Sequence, residues 1–187
     1  MPELPHDQEI LDIVNEHDVV VGSITHEAAF DEANLKGGYL RAANALIINS
    51  GGQLWIPRRT DDKLIWPNGL DYSMGEHVMS GETYEQATIR GFEEELNLQI
   101  TADQLELISK VLPIPGLPPY FNVNYLIRSD ATPTYNPHDF KSAEWVEPQV
   151  LLQRIRGGEA AKYYMVEGIE SLIAYLLQNE SDQDRHE

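Results

Sequence analysis

The chain has 187 residues, 42% hydrophobic and 24% charged, a composition typical of one globular domain rather than of a disordered chain. Its 13 basic and 31 acidic residues give a net charge of −18, which argues against binding to a nucleic acid polymer or an anionic membrane, because both carry negative charge. The absence of cysteine excludes disulfides, thiolate metal sites and a thiol nucleophile.

The hydropathy pattern predicts a cytoplasmic protein with a single domain over residues 1–187. Met1–His6 shows no positive segment followed by an apolar one, as a secretory signal would. No apolar run approaches the roughly 20 residues that a membrane helix needs. We expect a charged, frayed tail from about residue 179. We also consider a homodimer, for which the sequence carries no specific signal.

The predicted elements alternate between strands and helices. In chain order, the first half predicts strands Ile10–Val14 and Val19–Ile24, a helix Glu27–Leu35, a strand Tyr39–Ile48, a turn at 49–52 into a strand Leu54–Pro57, and a strand Asp71–Val78. The second half predicts a helix Thr83–Leu96, strands Leu105–Leu112, Tyr120–Arg128 and Ala143–Val146, and helices Pro148–Ile155 and Met165–Leu177. Because regular βαβ spacing is missing, we expect an α/β fold in which a mixed sheet has helices on both faces.

The helix Thr83–Leu96 carries the clearest local signals. Thr83 and Gln86 have the spacing of a capping box, and Asn97 suits a left-handed helix end. Helical periodicity places Glu94 and Glu95 together, on the face opposite the apolar one, whereas Glu93 points roughly toward the apolar side. The apolar face is formed by Ile89, Phe92 and Leu96.

The paired carboxylates of Glu94 and Glu95 suit a divalent cation. Two such charges repel each other by ~1 kcal/mol or more, and a cation removes that cost. Mg²⁺ typically binds one or two carboxylates together with substrate phosphate oxygens, which would allow in-line attack of water on phosphorus. By spacing alone, the same pair also fits an ordinary solvated helix face.

The chain resembles the Nudix hydrolases, whose box reads Gly, five residues, Glu, seven residues, then Arg-Glu-U-x-Glu-Glu-x-Gly-U, with U aliphatic. The residues in register with that box are Glu82, Arg90, Phe92, Glu94, Glu95 and Leu98. Stretches at 54–59, 66–71 and 80–84 resemble the isopentenyl-diphosphate-isomerase-like branch. The resemblance implies an α/β/α sandwich whose box, residues 76–98, is a loop–helix–loop that holds Mg²⁺ or Mn²⁺.

Site roles follow from the same resemblance. It implies Glu94 and Glu95 as catalytic metal ligands, and Glu82 and Arg90 as residues that brace the box. Family members hydrolyse a nucleoside diphosphate linked to another group, so the expected partner is a small diphosphate-containing substrate.

Three positions depart from the family box. Gly91 stands where the family has a glutamate that usually binds the metal, which predicts weakened catalysis and a helix less stable by roughly 1 kcal/mol. Glu76 replaces the first glycine, and we hypothesise that it supplies the missing carboxylate as a metal ligand. Asn97 replaces the last glycine, a change that a helix C-cap tolerates.

Several weaker signals leave alternatives open. Arg58 and Arg59 either bind substrate phosphates or pair with Asp61 and Asp62 on the surface. His77 is either a packing residue of its strand or a metal ligand. Family members often take a base from outside the box, and the candidates here are Asp139, Glu144 and Glu147.

The sequence therefore favours a metal-dependent Nudix-type hydrolase that cleaves a nucleoside di- or triphosphate or a related diphosphate. The alternative is a catalytically inactive Nudix-fold module that binds a nucleotide or a protein. Isomerase activity is disfavoured, because that chemistry in the family uses a cysteine and glutamates on a later strand. The chain has no cysteine, and Tyr120–Arg128 carries no carboxylate.

Overall fold

The computed structural model describes residues 9–183 and places a six-stranded sheet between helices. The strands are β1 (Ile10–Val14), β2 (Val20–Thr25), β3 (Leu40–Ile48), β4 (Leu54–Arg59), β5 (Met74–His77), β6 (Glu106–Val111), β7 (Tyr120–Arg128) and β8 (Phe140–Val146). The helices are α1 (His26–Ala29), α2 (Tyr84–Leu96), α3 (Pro148–Arg156) and α4 (Met165–Gln183), with 3₁₀ turns at Glu32–Leu35 and Ala102–Gln104.

The sheet is mixed, with strand order β6-β7-β3-β4-β8. The short strand β5 also pairs with β3, beside β4. Only the β3–β7 pair is parallel, and the other pairs are antiparallel. The strand predicted at Asp71–Val78 begins only at Met74. The hydroxyl of Ser73 instead bridges β3 and β4. It accepts a hydrogen bond from the Ile47 amide at 2.8 Å and donates one to the Trp55 carbonyl at 2.6 Å.

Helices cover both faces of this sheet, which confirms the predicted α/β sandwich. The helix α2 buries Phe92 and Leu96 against one face, together with Met74 of β5. The helices α3 and α4 bury Leu151 and Leu172 against the other. The sheet faces alternate as expected for strand pleating, so both sides of β3 are buried.

A separate hairpin of β1 and β2 lies against the loop before α2. Leu11 forms a bridge with Met79. The buried carboxylate of Asp12 accepts hydrogen bonds from the Ser80 hydroxyl at 2.7 Å and the Gly81 amide at 3.2 Å. The hairpin thereby holds the loop that leads into α2.

Two further expected elements differ from the structure. The helix predicted over Glu27–Leu35 is divided, because the side chain of Asp31 accepts from the Ala33 amide and starts a new 3₁₀ turn there. The helix predicted over Met165–Leu177 is longer in the structure, where α4 continues to Gln183, into the tail that we expect to fray.

The expectations for Met1–His6 and for the last four residues of the tail concern positions outside the described range. Within residues 9–183, no helix combines the length and the apolar character that crossing a membrane requires.

Candidate functional site

The helix α2 begins and ends as its local sequence predicts. The Thr83 hydroxyl accepts from the Gln86 amide at 3.2 Å, and the Gln86 side chain accepts from the Thr83 amide at 2.9 Å. Asn97 ends the helix in the left-handed region, with φ of 53°. These caps hold α2 in place beside β5, where the candidate site lies.

Arg90 is the centre of an ion-pair cluster on this helix. Its guanidinium contacts carboxylate oxygens of Glu82 at 3.0 Å, Glu94 at 3.0 Å and Glu76 at 3.3 Å. It also donates to the His77 carbonyl at 2.9 Å. Because Arg90 is only 15% exposed, it ties the loop, β5 and α2 together as one rigid unit.

Glu76 and Glu95 share a region with too little positive charge. Burial raises the pKa of the Glu76 carboxyl, and the charge of Glu94 raises it further, although Arg90 counteracts part of that effect. Burial also raises the pKa of Glu95 well above its usual range, and the charge of Glu76 adds to this. Buried carboxylates that raise one another's pKa in this way favour a bound cation, which would offset their repulsion.

Gly91 and Glu76 occupy adjoining space. A Cβ atom placed on Gly91 would lie 2.6 Å from Cγ of Glu76 and would also overlap the side chain of Met74. The absence of a side chain at Gly91 therefore makes room for the side chain of Glu76, which reaches the helix from β5.

The faces of α2 differ from the expectation in two respects. Glu93 is exposed rather than turned toward the apolar side, and Gly91, which helical periodicity places on the same face as Glu94 and Glu95, is buried. Glu95 points toward β5, where it accepts from the Gly75 amide at 3.3 Å. The reason is that α2 lies across β5 and buries a wider face than the apolar residues alone define.

Lys162, just before α4, is a site residue that the sequence did not single out. Its Nζ lies 3.2 Å from the Gly75 carbonyl oxygen and 3.3 Å from Oδ1 of Asp71. Its positive charge lowers the pKa of both Glu76 and Glu95, opposing their burial. No motif surrounds Lys162, so only the folded chain brings it to the site.

The basic residues of β4 are engaged in ion pairs. Arg58 contacts Glu159 at 2.5 Å, and Arg59 contacts Asp71 at 2.5 Å. The surface pairing expected with Asp61 and Asp62 is therefore wrong, since Glu159 and Asp71 come from other parts of the chain. The role of Arg58 and Arg59 in binding substrate stays a prediction.

The remaining candidates occupy different surroundings. The ring of His77 packs against the rings of His26, at 4.8 Å between centroids, and Tyr120, at 5.5 Å. Among the three possible distal bases, Asp139 is the one whose charge contributes to the raised pKa of Glu95. Asp139 is paired with Lys63 at 2.6 Å, Glu144 is paired with Arg154 at 2.8 Å, and Glu147 stands at the beginning of α3.

The donor set fits a hard divalent cation by its chemistry. In residues 9–183, no three acidic or histidine side chains are already assembled closely enough to enclose a metal. Mg²⁺ does not require such a cage, because it keeps several waters and uses one or two carboxylates with substrate phosphates. One or two carboxylates from the set Glu76, Glu94 and Glu95 would meet that requirement.

Comparison with known proteins identifies close relatives. A family model described as NUDIX domain matches residues 38–167, more than half of the chain. A Nudix hydrolase of Deinococcus radiodurans is 46% identical over 82% of this chain and 88% of its own length. An uncharacterized Nudix hydrolase of Nostoc sp. is 39% identical over 90% of this chain and 98% of its own length.

Comparison with solved structures gives a consistent result. A crystal structure of a Deinococcus radiodurans protein superposes with a TM-score of 0.75 at 44% identity, covering 87% of this chain and 98% of that one.

Proposed function

Because the chain belongs to the Nudix family, we propose that it is a hydrolase that uses Mg²⁺ or Mn²⁺ to cleave a phosphoanhydride bond in a nucleoside di- or triphosphate or a related diphosphate. The supporting observation is the set of acidic side chains where β5 meets α2, Glu76 from the strand and Glu94 and Glu95 from the helix. Arg90 contacts two of them, and the charge of Glu76 raises the pKa of the third.

One or two glutamates of this set would hold the cation through carboxylate oxygens, with waters and substrate phosphates completing its coordination. When bound, the cation would supply charge stabilisation for the phosphate oxygens and a water of lowered pKa. Glu76 would take the place of the carboxylate that the family has at position 91. Its side chain lies beside Gly91, so an oxygen donor reaches the same region from the strand instead of the helix.

Residues around the glutamates would position them and the substrate. Arg90 orients Glu82 and Glu94 through hydrogen bonds of 3.0 Å each. The ammonium group of Lys162 would attract the diphosphate, since an acidic chain offers little other positive charge there. Among the distal candidates, Asp139 is the proposed acceptor for a proton from the attacking water, and Lys63 holds its carboxylate at 2.6 Å.

A turnover assay tests the proposal directly. We expect the full chain with Mn²⁺ to release phosphate or a nucleotide from a panel of nucleoside di- and triphosphates. Glu94→Gln should lower kcat/KM by about 100-fold or more, because it removes a charged metal ligand. Glu93→Gln is the matched control, because Glu93 is adjacent to Glu94 and its carboxylate is exposed. This substitution should leave turnover within about twofold of that of the native protein.

The opposite outcomes are equally informative. Turnover unaffected by Glu94→Gln would contradict the proposed role of the box. Nucleotide binding without turnover, even with Gly91→Glu, would favour the inactive binding module. Weakened catalysis, the isomerase-like branch, a homodimer and a cytoplasmic location stay predictions.

A further inference from the structure

The chain between β4 and β5 changes its strand partner. From Gly69 to Asp71 it pairs with β4, since the Arg59 amide donates to the Gly69 carbonyl at 2.9 Å and the Asp71 amide donates to the Pro57 carbonyl at 3.0 Å. It then forms β5, which pairs with β3 instead. Residues 69–77, which we call the crossing segment, therefore link the basic residues of β4 to the acidic residue of β5.

Gly75 of the crossing segment contacts a base and an acid on the same strand edge. Its carbonyl oxygen accepts from Nζ of Lys162 at 3.2 Å, and its amide donates to Oε2 of Glu95 at 3.3 Å. The amide and the carbonyl of one residue point to the same edge of an antiparallel strand, so the ammonium group and the carboxylate are neighbours. A Cβ atom at Gly75 would lie 2.6 Å from that Nζ, so the glycine leaves the space that the ammonium group occupies.

Asp71 is the second anchor of the Lys162 ammonium group. Its Oδ1 lies 3.3 Å from Nζ and also accepts from the Tyr72 amide at 2.8 Å. Its Oδ2 binds Nη1 of Arg59 at 2.5 Å. Because the side chain is only 2% exposed and both of its oxygens are engaged, Asp71 is fixed in place. Within residues 9–183, it is the one carboxylate that lies within ion-pair distance of Lys162.

The charges of Lys162 and Asp71 act on Glu95 with opposite sign. Burial raises the pKa of Glu95, the charge of Lys162 lowers it, and the charge of Asp71 raises it again. An ammonium group released from Asp71 would be attracted to the Glu95 carboxylate beside it, because unlike charges attract strongly where water is largely excluded. That ion pair would occupy a carboxylate that a divalent cation needs.

We propose that Asp71 is a positioning residue that retains the Lys162 ammonium group at Gly75 and thereby keeps it from pairing with Glu95. The ammonium group then remains close enough to attract a phosphate, while the Glu95 carboxylate remains available to a cation. Arg59 completes the arrangement, because its guanidinium holds Oδ2 of Asp71 and leaves Oδ1 for the ammonium group. Asp71 itself touches neither substrate nor cation, and it acts through Lys162.

This role rests on the proposed hydrolase function, but its first test needs neither metal nor turnover. In EDTA, urea denaturation of the full chain gives the coupling between Lys162→Gln and Glu95→Gln, as a factor in the unfolding equilibrium constant. We expect that factor to grow about tenfold or more in the Asp71→Asn background, because the released ammonium group then pairs with Glu95. The Glu159→Gln background is the matched control and should change the factor less than about twofold, since Glu159 pairs with Arg58 and Arg154.

The second test measures Mn²⁺ binding by electron paramagnetic resonance. Asp71→Asn should weaken binding about tenfold, and adding Lys162→Gln should restore it to within about threefold of the native affinity, because no ammonium group is left to compete. Adding Arg59→Gln instead restores the same net charge and removes the other basic partner of Asp71, yet it should restore no affinity. If Asp71→Asn alone does not fold, the comparison of the two double variants remains decisive.

The outcomes separate the positioning role from the hydrolase function. Stronger coupling of Lys162 to Glu95 in Asp71→Asn, in a protein that hydrolyses no nucleotide, would support the positioning role and contradict the hydrolase. Turnover by the native protein with unchanged coupling in Asp71→Asn would overturn the positioning role alone. Equal recovery of Mn²⁺ binding by Lys162→Gln and by Arg59→Gln would also overturn it, because net charge by itself would then explain the effect.

Discussion

At the scale of single residues, Glu76 and Gly91 depend on each other. Gly91 lies in the interior of α2, where glycine is costly relative to alanine, so its presence calls for a reason. The reason is steric, because any side chain there would collide with Cγ of Glu76. A glutamate on the strand and a glycine on the helix form one arrangement rather than two separate departures from the box.

We predict that the carboxylate can be moved from position 76 to position 91 only when both residues are substituted in the same variant. Gly91→Glu alone should lower the free energy of unfolding by about 1–3 kcal/mol, because it overpacks the space beside Met74 and Glu76. Glu76→Gly alone should weaken Mn²⁺ binding by about tenfold or more. The double variant should recover much of both, measured by urea denaturation and by Mn²⁺ titration followed by electron paramagnetic resonance.

Glu76→Gln is the control for this cycle, since it keeps the side-chain shape and removes the charge. It should weaken Mn²⁺ binding about as much as Glu76→Gly does. Strictly additive effects of the two changes would contradict the exchange, because contacting residues are expected to couple.

At the scale of elements, one aspartate joins the amino-terminal hairpin to three other elements. Asp18, in the turn between β1 and β2, contacts Arg41 of β3 at 2.5 Å, Tyr84 of α2 at 2.9 Å and Lys110 of β6. Although burial acts to raise it, the pKa of Asp18 is lowered by hydrogen bonds from Lys110 and Arg41. Because β1 also contacts the loop before α2, the contacts of Asp18 help to hold the elements that carry the candidate site.

We predict that Asp18→Asn destabilises the fold by about 2–4 kcal/mol. Asparagine tolerates the positive φ of 60° at this position, so the loss reflects the charge rather than the backbone. It leaves the guanidinium of Arg41, 16% exposed, without its anionic partner. Urea denaturation measures the change.

Asp61→Asn is the matched control for this prediction. Asp61 pairs with Lys141 at 2.7 Å, but its side chain is 74% exposed, so the change should cost less than about 0.5 kcal/mol. Equal effects of the two substitutions would contradict the special role of Asp18.

At the scale of the whole molecule, ion pairs offset part of the net charge of −18 by joining distant segments. Glu159, between α3 and α4, pairs with Arg154 at 2.7 Å and with Arg58 of β4 at 2.5 Å. Hydrogen bonds from Arg154 and then Arg58 outweigh the opposing effect of burial, and they lower the pKa of Glu159 to about 2.

We predict a pH-dependent stability contribution from Glu159. A carboxyl whose folded pKa is lowered stabilises the fold above its unfolded pKa of about 4.3, and that contribution disappears as the pH falls toward 2. Glu159→Gln should therefore lose about 1 kcal/mol at pH 7, after solvent screening, and progressively less between pH 5 and pH 2. Urea denaturation across this range measures the difference.

Glu93→Gln serves as the control, because its carboxylate is exposed and should show little effect at any of these pH values. A difference between Glu159→Gln and the native protein that stays constant down to pH 2 would contradict the ion-pair explanation.

The sequence predicted those features that local interactions govern. The capping box at Thr83, the left-handed end at Asn97 and the strand Tyr120–Arg128 all occur as expected. The mixed sheet between helices was also predictable, because the order of strands and helices excluded a regular doubly wound fold. The faces of α2 were less predictable, because they depend on how the helix packs across β5. Glu93, expected toward the apolar side, is exposed, and Glu95, expected on the opposite face, contacts Gly75 of β5.

By itself, the sequence determined the element order, the absence of cysteine chemistry and the register of the box, all of which follow from residue identity and short-range spacing. Only the tertiary structure decided that Glu76 lies in the space beside Gly91, that Lys162 reaches Gly75, and that Arg58 and Arg59 pair with Glu159 and Asp71. The physical reason is that most of these contacts join different segments of the chain, and their geometry depends on how helices pack across the sheet, which no local pattern records.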